Sequence, residues 1–226
     1  CSLPILERLS LPQAAKKAIW TGGDATLTRF GAIDWKHRKY LVTDTKPFMD
    51  TMMSVVLGHP DDEKWIIAIC EMLALVVLAV SSADAWKDGI VFYVTDNMVV
   101  KNWVNRRRAR HPLGRHLIRL IEKLEAQTNC TITCLYIRTY HNELPDDLSR
   151  ETVEFIRGDH RLAGYEELQP PDNWGLLLNE VRDRLLRLPG EKGEGEAAAR
   201  RQLRLRTPQP VPKTLRTTGI LVEVQT

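Results

Sequence analysis

The sequence predicts an α/β fold: a mixed five-stranded sheet flanked by helices, followed by a C-terminal helix and a tail with little to bury. Three observations predict it. Strand-like runs at 19–25, 30–36 and 38–43 follow one another with short connections, as in an antiparallel meander. Two more, at 90–95 and 130–138, are separated by helical patterns, as in crossover units. Between the two groups, Trp65 to Val80 is apolar nearly all round, the pattern of a buried helix.

Taken in order, residues 1–17 carry a short helical pattern (Leu3, Ile5, Leu6, Leu9) and are expected to be the end of a missing upstream region, since the chain starts at Cys1. Ile19 to Ala25 forms the first strand, with Gly22 and Gly23 permitting close approach just before Asp24. Two further strands complete the meander. Asp61 is placed to cap the apolar helix, with Asp62 and Glu63 favourable in its first turn. Ile90–Thr95 (IVFYVT) reads as a strand buried on both faces. Helices are expected from Met98 to Asn105 and from Leu113 to Gln127, then a strand from Cys130 to Arg138. One helix is expected from Leu144 to Ile156, giving the order β-β-β-α-β-α-α-β-α. The domain is thus set at 18–157. Residues 158–188 form an extension with one helix, Trp174–Leu188, and 189–226, rich in Gly, Pro, Glu and Arg, read as a basic, disordered tail.

Composition narrows the class. The 226 residues suffice for one sizeable domain plus a tail. A 43% hydrophobic and 27% charged chain is ordinary for a soluble protein, and a net charge of +3 permits nucleic-acid binding without demanding it. The four cysteines, Cys1, Cys70, Cys130 and Cys134, form no C-x-x-C pair, which fits a reducing, intracellular setting (cytoplasmic or nuclear) and not secretion. The longest apolar run is short of the roughly 18–20 residues of a membrane span and contains Glu71, so no membrane association is expected. The sequence leaves the oligomeric state open.

Four carboxylates stand out by position. Asp24 ends the first strand, Asp96 ends the fourth, Glu71 interrupts the apolar helix, and Asp146 opens the last helix. If the first and fourth strands are neighbours, the four converge at one sheet edge. Each also has a local role open to it: Asp24 as a turn residue, Asp96 and Asp146 as helix caps, Glu71 with a partner of its own. Together they would repel unless divalent cations compensate, and hard oxygen ligands in this number suit Mg²⁺ or Mn²⁺. Two such ions about 4 Å apart can clamp a phosphodiester displacement.

With these residues in place, the sequence resembles the ribonuclease H domain of long-terminal-repeat (Gypsy-type) and DIRS-like retroelement reverse transcriptases. Three segments carry the resemblance: Gly23-Asp24-Ala25-Thr26 through Phe30-Gly31-Ala32; Glu71-Met72-Leu73-Ala74-Leu75, then Thr95-Asp96-Asn97 with Val99-Val100 behind; and Asn142-Glu143-Leu144-Pro145-Asp146-Asp147-Leu148-Ser149-Arg150. It spans about residues 18–157. It implies the ribonuclease H-like fold, two Mg²⁺ or Mn²⁺ ions on Asp24, Glu71, Asp96 and Asp146, and cleavage of the RNA strand of an RNA–DNA hybrid, with a polymerase domain upstream. Pro145 departs from the family's small residue before the last Asp, and His141 has no secure counterpart of the catalytic-loop histidine of some cellular enzymes.

The run from Asn97 to Ile121 holds no acidic residue and carries Arg106, Arg107, Arg108, Arg110 and Arg115. A solvated charged face is the ordinary explanation, but so unbalanced a patch also suits phosphate contacts. Asn97 and Asn142 are expected near the site, where they could read 2′-hydroxyls. Two other functions fit the same fold: a catalytically inactive nucleic-acid-binding or connection module, and another nuclease or strand-transfer enzyme.

Overall fold

The computed structural model describes residues 17–55, 63–177 and 179–180. The chain divides into two compact units, 1–185 and 186–226, and all described residues lie in the first. The expectations for the lead-in before residue 17, for the cap at Asp61, for the rest of the helix begun at Trp174 and for the tail fall outside the described residues. Residues 174–177 and 179–180 are helical.

β1 (Ala18–Ala25), β2 (Arg29–Asp34) and β3 (Lys39–Asp44) form the predicted antiparallel meander. The first turn is closed by Thr26, whose hydroxyl oxygen accepts from the backbone N–H of Thr28 and Arg29. β4 (Ile90–Thr95) lies parallel to β1, with Gly22 opposite Val94, and β5 (Thr131–Tyr136) lies parallel to β4. A two-residue strand, β6 (Glu166–Glu167), is added beside β3, so the sheet has six strands, not five, in the order β5-β4-β1-β2-β3-β6. β2 runs antiparallel to both its neighbours while β1, β4 and β5 run parallel, so the sheet is mixed, as expected.

The helices are α1 (Lys46–Val55), α2 (Glu63–Ser81), α3 (Met98–Arg106), α4 (Pro112–Thr128), α5 (Glu143–Arg150) and α6 (Val153–Gly158). α1 is an addition to the expected order: Met49 N–H donates to Thr45 O to open it, and Phe48 and Met52 turn inward. The single helix expected over 144–156 is two. Glu151 and Thr152 leave the helical conformation, with ψ 162° and 154°, and the Thr152 hydroxyl caps the next helix at Phe155 N.

The main core lies on one sheet face beneath α2, α3 and α4, and every residue of α2 from Ala68 to Ala79 is buried. Leu168 and Trp174, beyond the expected domain end, belong to this core, and Trp174 packs edge-on against Phe48. On the other face a smaller cluster joins Ile33 and Tyr40 to Leu148, Ile156 and Leu162. Gly31 makes that packing close: a side chain there would collide with the backbone and Cβ of Leu148, so α5 rests directly on β2. Among the described residues no helix is long and apolar enough to cross a membrane.

Candidate active site

The parallel pairing of β1 and β4 sets Asp24 beside the residue that follows Thr95, and α2 crosses that end of the sheet. An oxygen from each of Asp24, Glu71 and Asp96 lies within 4.8 Å of the others. Asp24 and Glu71 are buried, at 3% and 6% exposure, while Asp96 is half-buried. Burial pushes the Asp24 carboxyl up to about 6 against the relief of its Ser149 hydrogen bond, and Asp96 and Asp146 add to the rise. Burial likewise pushes Glu71 up to about 8, partly offset by Asn97 and Thr95 and reinforced by Asp24 and Asp96.

Glu71 and Asp24 are held in place by neighbours. Glu71 Oε2 accepts from Thr95 Oγ1 at 3.1 Å and Oε1 from Asn97 Nδ2 at 2.9 Å. Asn97 is also the N-cap of α3, its Oδ1 accepting from the backbone N–H of Val99 and Val100. One side chain thus ties the start of a helix to the buried glutamate. On the other side of the site, the Ser149 hydroxyl lies 2.6 Å from Asp24 Oδ2 and 2.9 Å from the Asp146 carbonyl oxygen.

Asp146 sits in the first turn of α5 and outside the close group of three. Its Oδ1 accepts from Arg150 Nε at 2.6 Å, and Arg150 Nη2 lies 4.0 Å from Asp24 Oδ2. Asn142, just before α5, is buried: its Nδ2 is 3.5 Å from Gly23 O, and its Oδ1 has no partner among the described residues. Both asparagines therefore face inward contacts. His141 is exposed and stands against the Tyr140 ring.

The arginines divide. Arg106, Arg108, Arg110 and Arg115 are exposed. Arg107 is different: it takes the left-handed conformation (φ 49°) that ends α3, and its guanidinium donates to Glu125, to Ile132 O and to Val104 O. Arg119 pairs with Glu122 at 2.7 Å. The acid-free run of the sequence is thus partly neutralised in space by glutamates of α4.

Four residues beside the carboxylates had no assigned role in the sequence: Thr95, Ser149, Arg150 and Tyr93. The first three lie inside the recognised motifs, so their positions were marked and only their partners were hidden. Tyr93 is fully buried on β4 with no hydrogen-bond partner for its hydroxyl among the described residues, directly under Gly23. An open groove of about 730 Å³ adjoins the site, lined by Thr26, Thr28, Arg29, Ser149, Arg150 and Thr152 among others.

An all-oxygen donor set, buried and repelling itself, fits hard divalent cations such as Mg²⁺ or Mn²⁺. A buried carboxylate does not imply this by itself. Asp34 is wholly buried too, but Trp86 Nε1 at 2.8 Å and His37 Nδ1 at 2.7 Å satisfy it.

No protein-family model matches the chain, and no curated protein does. Among solved structures, the crystal structure of RNase H1 from the halophilic archaeon Halobacterium salinarum NRC-1 is similar at 13% identity, with a TM-score of 0.44, over 61% of this chain and 98% of that one.

Proposed function

We propose that this chain is a metal-dependent endonuclease that cleaves the RNA strand of RNA–DNA hybrids, as part of a retroelement reverse transcriptase whose polymerase domain lies upstream. The observation that carries this reading is the meeting of Asp24, Glu71 and Asp96, from three separate elements, within 4.8 Å at one end of the sheet. The retroelement context is supported by the three sequence segments that resemble that family.

Asp24, Glu71, Asp96 and Asp146 would hold two Mg²⁺ or Mn²⁺ ions. When bound, these supply a water of lowered pKa and charge neutralisation on the leaving 3′ oxygen. The remaining work falls to the chain. Thr95 and Asn97 fix the rotamer of Glu71, and Ser149 orients Asp24. The buried setting of these groups limits competition from bulk water. Arg106, Arg108, Arg110 and Arg115 offer phosphate contacts whose strength falls with salt. Asn97 and Asn142 would contribute by positioning the site, Asn97 through Glu71 and Asn142 through the strand at Gly23, beside any contact they make with 2′-hydroxyls.

A second reading, a module that binds hybrid without cutting it, is favoured by one observation: Asp146 is already paired with Arg150. Cleavage of a labelled hybrid with Mg²⁺, Mn²⁺ or EDTA, beside Asp96→Asn, separates the two. Metal-dependent cutting of the RNA strand that the variant loses is expected. A folded protein that binds hybrid and never cuts it would overturn the first reading in favour of the second.

A further inference from the structure

Of the four carboxylates, Asp146 alone has a cation in direct hydrogen-bond contact among the described residues, and Arg150 reaches two of them at once. Its Nε is 2.6 Å from Asp146 Oδ1, and its Nη2 is 4.0 Å from Asp24 Oδ2. The guanidinium thus spans from α5 to β1 on the open side of the site, where Arg150 also lines the groove.

We propose that Arg150 is a built-in counter-cation that competes with a metal ion for Asp146. It neutralises Asp24 and Asp146 in the metal-free protein and must swing into the groove before an ion can take both carboxylates. The two metal positions are therefore unequal: one at Asp24, Glu71 and Asp96, to which Arg150 makes no direct hydrogen bond, and one at Asp24 and Asp146, where it does. This inference rests on the metal-site reading above.

Three physical points support it. The Arg150 side chain is 56% exposed, so it leaves into solvent without stranding a buried charge. Exposed ion pairs contribute little to stability, so the pair is displaceable and not a lock. A divalent ion carries twice the charge to the same oxygens, and it would repel a guanidinium left within a few ångströms. A merely structural Asp146–Arg150 pair, one helical turn apart, would instead contribute the same small stabilisation with or without metal.

The test is Mn²⁺ binding to the full chain, followed by the loss of the free-ion EPR signal, for the wild type, Arg150→Gln, Arg150→Lys and Asp96→Asn. The wild type should show a tighter and a weaker site. Arg150→Gln should tighten the weaker site by up to about fivefold and leave the tighter one within about twofold, fivefold being the effect of removing about 1 kcal/mol of competition. Arg150→Lys, which keeps the charge but cannot bridge in the same plane, should tighten it by a smaller factor and guards against misfolding of the glutamine variant. Thermal melting gives an independent readout: Arg150→Gln should melt lower than wild type without metal and equal to it with saturating Mn²⁺. An unchanged or weakened second site in Arg150→Gln overturns the inference, as does a single site in both proteins. If the wild type binds no Mn²⁺, or if Asp96→Asn leaves the tighter site intact, the metal-site reading itself fails.

Discussion

Alanine at Gly23 would put a methyl group inside the van der Waals envelope of the Tyr93 hydroxyl. The added carbon would also lie 3.0 Å from Tyr93 Cζ and 3.0 Å from Gly31 O, where carbon contacts normally settle near ~3.5–4.0 Å. Tyr93 has no exposed surface and no free direction in which to retreat, and Gly31 O belongs to the neighbouring strand. Overpacking of this kind costs about 1–3 kcal/mol, and overlap with a fixed ring beside a strand carbonyl puts Gly23→Ala near the top, at roughly 3 kcal/mol. Tyr93→Phe removes the closest atom. Its hydroxyl has no partner among the described residues, so the single change should be neutral within about 0.5 kcal/mol or stabilising. The double variant should recover about 1–2 kcal/mol of the alanine loss, a coupling that distant sites do not show. Urea unfolding of the four proteins at constant m-value measures the cycle. If Gly23→Ala unfolds with the wild type, or if the two changes simply add, the packing of β1 on Tyr93 is not as described.

Three further outcomes are expected. Asn97→Ala removes both a helix cap and a Glu71 hydrogen bond, so it should cost about 1–2 kcal/mol in urea unfolding and weaken metal binding together; loss of hybrid selectivity alone, with stability intact, would contradict the positioning role. In the metal-free protein, Glu71 and Asp24 keep their protons up to about 8 and about 6, while the unfolded chain ionises them near 4.5 and 3.8. The folded state therefore binds more protons in that window, and stability should be full below it, fall as pH rises through it, and recover at the upper end with excess Mg²⁺; Glu71→Gln should flatten most of the slope, and an equal slope in that variant would sink the assignment. Among the arginines, Arg107→Leu should lower stability through its lost Glu125 and Ile132 contacts, whereas Arg106→Ala with Arg108→Ala should reduce the salt dependence of hybrid binding at unchanged melting temperature.

Much of the framework was legible because its signals are local. The β4 run IVFYVT is β-branched and aromatic throughout since both its faces are largely covered, and its bounds matched to the residue. α4 shows its apolar face at helical spacing. α1 escaped because only Phe48 and Met52 of its first seven residues are buried, too few for a periodic pattern. Its start signal, Thr45-Lys46-Pro47, was nevertheless present. The break between α5 and α6 turns on one Thr152 cap inside an otherwise helical run, and β6 has two glutamates and no apolar pattern at all. For the site, strand ends marked Asp24 and Asp96, and a carboxylate in an apolar helix marked Glu71. What sequence spacing could not show is which pairs close in space: Arg107 with Glu125, Ser149 with Asp24, and Tyr93 beneath Gly23 each depend on strand register and helix placement.

β6 bears on how copies of this protein treat one another. Its two residues pair with Lys39 and Tyr40, and the flanking backbone extends the cover, Glu166 N–H donating to Arg38 O and Leu168 N–H to Tyr40 O. Without them β3 would end the sheet as a raw edge, a template for strand pairing between molecules. The cover carries its own deterrent, since Glu166 and Glu167 present charge where an incoming strand would dock, each matched to a neighbour in Lys39 and Arg157. A version of the chain cut back to residue 157 would keep every carboxylate of the site and lose this guard. The segment most easily trimmed from a minimal domain is the one that keeps its molecules from joining sheet to sheet.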